Sequence, residues 1–295
     1  MTVLVTGSRG KVGSALIPLL HGKGVEVRAA SAAPGRLSLP DGVAAVRCDL
    51  HDPATFPAAL DGADAVFLYA EPSQIGAFVQ QAETAGVQHI VLLSSSSVLG
   101  PEASESAIAA THLAVEQALA ASSVETTFLR PGAFAGNALQ WKWALQSAGT
   151  IDLPYPGSYS DPIHERDIAE SAYAALTEPA LRGQAYHLTG PQSLTFTEQI
   201  AALEAATGRA IPFRRVAPDA WKESVSPYLP AAAADSLLHY WATSDGVPTT
   251  VTDQVEILTG HPARTFATWA AENAAAFTAA PSTTAGPTAT GPATT

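Results

Sequence analysis

The sequence predicts an α/β fold, a doubly wound parallel sheet with a smaller C-terminal α/β cap, and three observations carry that expectation. Short apolar runs alternate with segments of helical periodicity over the first 135 residues. A loop with the spacing Gly7-x-x-Gly10-x-x-Gly13 joins the first apolar run to the first helix. The chain has 295 residues, 47% of them hydrophobic, enough to bury one large core. Alternating strands and helices close into a parallel sheet covered on both faces, because each parallel crossover returns through a helix.

The elements follow in order. Val3-Leu4-Val5 is a strand, stopped by Thr6-Gly7. Val12, Ala15, Leu16, Leu19 and Leu20 fall at i, i+3, i+4, i+7 and i+8, one face of a helix. Pro18 is a defect in that helix, expected to cost a hydrogen bond or a bend, and Gly22 and Gly24 end it. Further strands are predicted at 25–28, 43–48, 65–69, 89–93 and 126–129. Helices are predicted from Ile75 to Gly86 and at about 106–121. Beyond residue 135 the pattern is less regular, with helices expected at about 166–177, 196–206 and 217–241. Residues 1–277 thus read as one unit: a dinucleotide-binding core over 1–135, then mixed core and substrate cap over 136–277. Residues 278–295 contain only Ala, Thr, Pro, Gly and Ser and are predicted to be a disordered tail.

Composition excludes several classes. Fifteen basic and 27 acidic residues leave a net charge of −12, which argues against nucleic-acid and anionic-membrane partners. The single cysteine, Cys48, can form neither an internal disulfide nor a zinc cage, and its apolar flank predicts a buried thiol. No apolar stretch approaches the ~20 residues of a membrane span, and no basic leader precedes the first strand. The expectation is a cytoplasmic protein, monomer or homodimer, with no metal.

The glycine loop points to a dinucleotide. Gly7 permits a sharp turn out of the strand, Gly10 a close approach of backbone to a pyrophosphate, and Gly13 tight packing of helix on sheet. The helix N-terminus offers amide donors to the phosphates. This is the fingerprint of a Rossmann fold, in the strand–loop–helix context that it requires. An NAD site carries an acid after the second strand to hold the ribose hydroxyls. Residues 28–36 contain none. They offer Arg28, Ser31 and Arg36, with Arg9 in the loop nearby, so NADP(H) is expected over NAD(H). Asp49-Leu50 follows the third strand, where an adenine would lie; Asp49 reads equally as a turn residue.

With these residues in hand, the chain resembles the atypical short-chain dehydrogenase/reductase superfamily. More narrowly, it is similar to the NmrA-like group with its NAD(P)H:quinone oxidoreductases and azoreductases. The resemblance runs from about residue 2 to 277. It rests on the glycine loop, Asp49-Leu50, the serine run 94–97, His112-x-x-x-Glu116, Leu129-Arg130-Pro131-Gly132, Asp167-Ile168-Ala169 and Leu258-Thr259-Gly260. It implies that Gly7, Ser8, Arg9, Gly10, Lys11 and Val12 contact phosphates and ribose. It places Tyr69 and Ala70 by the adenine-side ribose and Pro131-Gly132 by the nicotinamide. Ser94 and His112 join the cofactor-binding candidates, and an apolar substrate pocket is implied under the cap.

One departure matters. Catalytic relatives carry Tyr-x-x-x-Lys on the helix after the fifth strand; aligning on Glu116 puts Ile108 at the Tyr position and His112 at the Lys position. Ile108 cannot donate a proton, so carbonyl reduction lacks its acid, whereas reduction of a quinone does not need one. Ser95 and His112 are the catalytic candidates. Ser95 matches the serine that holds a substrate carbonyl, although four serines after a strand also serve to satisfy backbone ends. Glu116 reads as a structural partner of backbone or of His112. Phe134, Asn137 and Trp141 are candidate walls of a pocket for a planar or aromatic molecule, with core packing the alternative for the last two. His164-Glu165-Arg166-Asp167 reads as a helix start. Three functions remain open: hydride transfer to a quinone-like or conjugated small molecule, cofactor sensing without turnover, and a non-redox biosynthetic step such as a cyclisation.

Overall fold

The computed structural model describes residues 1–100 and 103–278. In chain order it contains β1 (Thr2–Val5), α1 (Lys11–Gly22), β2 (Glu26–Ser31), β3 (Ala44–Arg47), α2 (Phe56–Leu60), β4 (Ala65–Tyr69), α3 (Ile75–Thr84), β5 (His89–Leu93), α4 (Ala107–Ala120), β6 (Glu125–Pro131), α5 (Leu139–Ala148), β7 (Ile151–Leu153), β8 (Tyr159–Ser160), α6 (Glu165–Thr177), β9 (Ala185–Leu188), β10 (Leu194–Thr195), α7 (Phe196–Thr207), β11 (Phe213–Arg215), α8 (Pro218–Val225), α9 (Ala231–Thr243), α10 (Gln254–Thr259) and α11 (Phe266–Thr278).

Seven strands form one parallel sheet in the order β3-β2-β1-β4-β5-β6-β9. Strand side chains alternate between its faces. Val3 and Val5 pack with Leu16, Leu20, Ile168 and Leu258 from α1, α6 and α10 on one face. Leu4, Val66 and Leu68 pack with Phe56, Phe78, Val115 and Leu119 from α2, α3 and α4 on the other. That doubly wound arrangement is the Rossmann-like fold expected. A third core, with Trp141, Leu203, Phe266 and Trp269, joins α5, α7 and α11.

Three local features differ from the sequence reading. The expected helix over 217–241 is two helices, α8 and α9, parted at Ser226–Pro230. Pro227 and Pro230 cannot donate backbone bonds and push the preceding residues out of helical geometry. The chain contributes a seventh sheet strand, β9, from the region read as irregular. Pro18 lies inside α1, which runs unbroken from Lys11 to Gly22. The tail expected from residue 278 lies, from 279 on, outside the described residues. Among the described residues no helix is long and apolar enough to cross a membrane. Cys48 is buried, and burial pushes its thiol up to about 12.

Asp167, fully buried at the start of α6, ties this core to the chain beyond α10. Its Oδ2 accepts from the Arg264 amide at 2.7 Å, and its Oδ1 pairs with the Arg264 guanidinium. The same guanidinium donates to both Glu170 oxygens at 2.8 and 2.9 Å, and His261 sits 2.9 Å from Glu170 Oε2. Of the three potential metal ligands here, Asp167, Glu170 and His261, the two carboxylates already hold a cation, Arg264, and the His261 ring is engaged with Glu170. Arg264→Ala is expected to cost about 3–5 kcal/mol, since it leaves a buried carboxylate without its counter-ion. Chemical denaturation reads that loss directly; a change under about 1 kcal/mol would show that the pair is dispensable.

Candidate active site

The strand order fixes where a ligand can lie. From β1 the chain winds to β2 and β3 on one side, and from β4 to β5, β6 and β9 on the other. The loops leaving β1 and β4 therefore part, and a crevice opens at their carboxyl ends. Gly7, at φ 61°, turns the chain out of β1, and a Cβ there would lie 3.3 Å from Tyr69 Cβ at the end of β4. Thr6 stitches the two strands: its Oγ1 donates to Phe67 O at 3.1 Å and accepts from Tyr69 N at 2.8 Å. Gly10 N donates to Gly7 O at 2.8 Å, closing the loop, and Ser8 Oγ donates to Val5 O at 2.7 Å. A Cβ at Gly13 would lie 2.5 Å from Gly7 O, so the helix abuts the loop only because that side chain is absent.

Gly10 caps α1 with no side-chain hydrogen bond, and the first turn carries no acid. The first-turn amides of Lys11, Val12 and Gly13 are thereby left for an incoming anion, with the helix dipole behind them. The cradle fits a dinucleotide's phosphates.

On the adenine side, β2 ends at Ser31, whose Oγ accepts from Ala33 N at 3.1 Å. A 3₁₀ turn, Pro34–Arg36, follows, and Arg36 is exposed, as is Arg9 in the glycine loop. Arg28 is a correction. It lies mid-strand, and its guanidinium donates to Ala59 O at 3.0 Å and Asp61 O at 2.7 Å, which ties it to the end of α2 rather than to the crevice. Asp49 is seen in its turn role, its Oδ1 accepting from His51 N at 3.0 Å. The His51 ring then lies 3.3 Å from Asp49 Oδ1 and 3.2 Å from Glu71 Oε2, linking the loops after β3 and β4. Leu50 and Ala70 pack on the α2–α3 core. Tyr69 is half-buried, and burial, then the Glu71 charge, holds its hydroxyl above the ordinary value.

On the other side, the loops after β5 and β6 meet the start of α6. Ser94 Oγ donates to Glu116 Oε1 at 2.6 Å, and Arg130 donates to both Glu116 oxygens at 2.9 and 2.6 Å. Glu116 is structural, but its partners are Ser94 and Arg130 rather than the expected backbone or His112; Ser94 thus serves the α4–β6 junction. Ser95 Oγ accepts from Ser97 N at 3.2 Å, capping a short turn. On α4, His112 is buried and Ile108 half-buried. Lys11 Nζ lies 3.6 Å from Glu165 Oε1, which also accepts from Gly136 N at 2.9 Å. Burial holds the Lys11 ammonium below its ordinary value, with Glu165 pulling the other way.

The pocket walls separate. Phe134 is buried in the core beneath α6. Trp141 is buried too, edge-on to Phe196 at 5.9 Å, in a chain of rings that continues to Trp241 and Trp221. Asn137 is exposed. The shared face expected for Asn137 and Trp141 fails because residues 135–138 form a 3₁₀ turn, which breaks the four-residue register. An open concavity of about 420 Å³ lies between α8 and α9, lined by Lys222, Tyr228, Leu229 and Ala234 among others. None of its lining residues belongs to the strand-end loops.

Two acids escaped the sequence reading. Glu165, seen there only as part of a helix start, links Lys11 to the loop after β6. Asp161 lies beneath Pro131-Gly132: its Oδ1 accepts from Ala133 N at 3.1 Å, and a Cβ on Gly132 would overlap both of its carboxylate oxygens. It is 5% exposed, and burial pushes its carboxyl up to about 6 against the pull of the Ala133 amide. Only the unfilled Cβ position at Gly132 hints at it, and that space is invisible without the fold.

The family model for NAD(P)H-binding proteins matches residues 7–179, more than half of the chain. The chain belongs to this NAD(P)H-binding family. A (4-alkanoyl-5-oxo-2,5-dihydrofuran-3-yl)methyl phosphate reductase of Streptomyces griseus is 36% identical, over 93% of this chain and 99% of its own. An NAD(P)H azoreductase of Xenophilus azovorans is 35% identical, over 94% of this chain and 100% of its own. Among solved structures, an NADPH-dependent quinone oxidoreductase from Escherichia coli, complexed with NADPH, superposes with a TM-score of 0.76 at 23% identity. It covers 92% of this chain and 99% of that one, and speaks for the fold. With reductases among its relatives, the chain is an NAD(P)H-binding protein of an oxidoreductase family.

Proposed function

We propose that the protein is an NADPH-dependent reductase of a planar, conjugated small molecule. The observation that carries this reading is the glycine loop at the sheet's switch point, and it is supported by Ile108 and His112 on α4, which the resemblance aligns with a carbonyl reductase's Tyr and Lys. When bound, the cofactor supplies hydride; the chain holds it, orients the acceptor and excludes water. Gly7, Gly10 and the α1 amides hold the pyrophosphate, with Lys11 beside it. Pro131-Gly132 faces the nicotinamide, and His112 hydrogen-bonds ribose or acceptor. The relatives' names support an activated acceptor. One is named for an azo bond, and the other for a furanone ring whose double bond is conjugated with carbonyl groups. The deciding experiment follows NADPH consumption against quinones, azo compounds and unsaturated lactones, with NADPH binding measured in parallel. Tight binding with no acceptor consumed would replace this reading with a cofactor sensor or a non-redox enzyme.

NADPH is proposed over NADH because no acid ends β2 while Arg9 and Arg36 stand exposed around it. One charge-assisted hydrogen bond to the 2′-phosphate, ~1.5–3 kcal/mol, corresponds to about 10- to 150-fold in affinity. NADPH is therefore expected to bind at least about tenfold more tightly than NADH, and Arg9→Glu to abolish or reverse that preference. Equal affinities in the unmodified protein would overturn it.

A further inference from the structure

Reduction of a conjugated acceptor also consumes a proton, from water or from a protein group, and the helix that carries the acid in carbonyl reductases offers Ile108. A second flank of the site carries one. Residues 161–163 run beside 133–135: Ala135 N donates to Ile163 O and Ile163 N to Ala133 O, both at 2.8 Å. On the other edge, Gly190 N donates to Asp161 O at 3.1 Å, and Gly132 N to Leu188 O at 2.8 Å. Asp161 is thereby fixed at the carboxyl ends of β6 and β9, under the loop that carries Pro131-Gly132. We propose that Asp161 is the proton donor of this site, acting from the β9 side of the β6 loop; this rests on the reductase reading above.

The groups that face Asp161 suit the role. From β9, His187 Nε2 lies 3.9 Å from Asp161 Oδ2. Burial and then the Arg130 charge hold that ring below its ordinary pKa, which favours its neutral form over a cationic partner for the carboxyl. From α9 in the cap, Tyr240 is near enough for the Asp161 charge, after burial, to raise its hydroxyl. Arg130, on β6 behind His187, is committed to Glu116. A buried carboxyl so placed is protonated in an appreciable fraction near neutral pH and holds its proton where water is scarce.

The position also selects the acceptor. Ser95 and α4 follow β5, on one side of β6; Asp161 is held against β9, on the other. With strands about 4.8 Å apart, the two flanks address different atoms of a bound ring. Hydride adds to one atom of the acceptor, and the displaced electron pair moves through the conjugated system to a remote oxygen, nitrogen or carbon. There a bond to hydrogen forms as the Asp161 O–H bond breaks. The carboxylate then regains a proton from water, so each turnover consumes one hydride and one proton.

Asp161→Asn keeps an oxygen for the Ala133 amide and removes the titration. Without cofactor, the melting temperature of the unmodified protein is expected to fall as pH rises from about 4 to about 6 and to level off above that, because the carboxyl's folded pKa of about 6 lies above its ordinary value of 3.8. The variant should lack that fall. With a conjugated acceptor, the unmodified enzyme's kcat should decline above about pH 6, tenfold per unit at the limit. The variant should be at least about tenfold slower, insensitive to pH in that range, and within about twofold in NADPH affinity. An unchanged pH profile in the variant, or a loss of NADPH affinity that accounts for its slower rate, would overturn the proposal while leaving the reductase reading intact. An unmodified protein that binds NADPH and reduces no acceptor would overturn the reductase reading first, and this proposal with it.

Discussion

Gly10→Val is expected to abolish NADPH binding while the protein stays folded. Gly10 has φ −73° and ψ 165°, extended geometry that a β-branched residue adopts readily. Among the described residues beyond its chain neighbours, an added Cβ would meet Gly7 O at 3.1 Å, a tight contact that a shift of a few tenths of an ångström relieves. The valine methyls would instead occupy the space over the first turn of α1, where a pyrophosphate must approach the amides. Losing two charge-assisted hydrogen bonds at ~1.5–3 kcal/mol each lowers affinity by about 10²–10⁴-fold. Titration of NADPH fluorescence reads the binding, and circular dichroism with a melting curve reads the fold. Retained binding would put the site elsewhere. Gly13→Val makes the contrast: its Cβ would meet Gly7 O at 2.5 Å and Ser8 Cα at 3.1 Å, both backbone, so α1 would be pushed off its loop and stability lost as well.

The second expectation concerns chemistry. NADPH-driven reduction of a quinone should be measurable and that of an unactivated ketone should not. In a simple ketone the oxygen that needs the proton is bonded to the carbon that takes the hydride, so its acid must stand close to the hydride donor, where the resemblance aligns Ile108. General acid catalysis supplies about 10²–10⁴-fold, and an isoleucine supplies none of it. A quinone or other conjugated acceptor spreads the charge and takes its proton at a distance. His112→Ala should lower cofactor affinity or turnover by about 2- to 13-fold, the equivalent of one hydrogen bond of ~0.5–1.5 kcal/mol. Steady-state assays with a benzoquinone and an aliphatic ketone decide the matter, and efficient ketone reduction would mean that another residue is the acid on the α4 side.

Much of this site was legible from residue order. The strand–loop–helix unit of residues 2–22 depends on periodicity and glycine spacing, both local, and the structure reproduces it nearly residue for residue. The lack of an acid after β2 is likewise a matter of composition at one loop. Where local reading failed, a contact distant in sequence or a change of helix type decided. Arg28 is the last residue of the predicted strand 25–28 and borders an acid-free loop in the sequence, yet carbonyls 31 and 33 residues away take its guanidinium. Trp141 and Asn137 were separated by a single 3₁₀ turn.

By itself, then, the sequence determined the fold class and the strand–loop–helix unit that carries Gly7, Gly10 and Gly13, because periodic burial and backbone freedom at glycine are properties of short stretches. Tertiary structure alone decided the roles of the charged groups. Glu116 meets Ser94 and Arg130, Glu165 meets Lys11, and Arg264 meets Asp167, each across 14 to 154 residues of chain. Asp161 is an ordinary acid in the sequence. It acquires a pKa of about 6 only when β6, β9 and α9 close around it, because desolvation depends on everything packed against a group rather than on its neighbours in the chain.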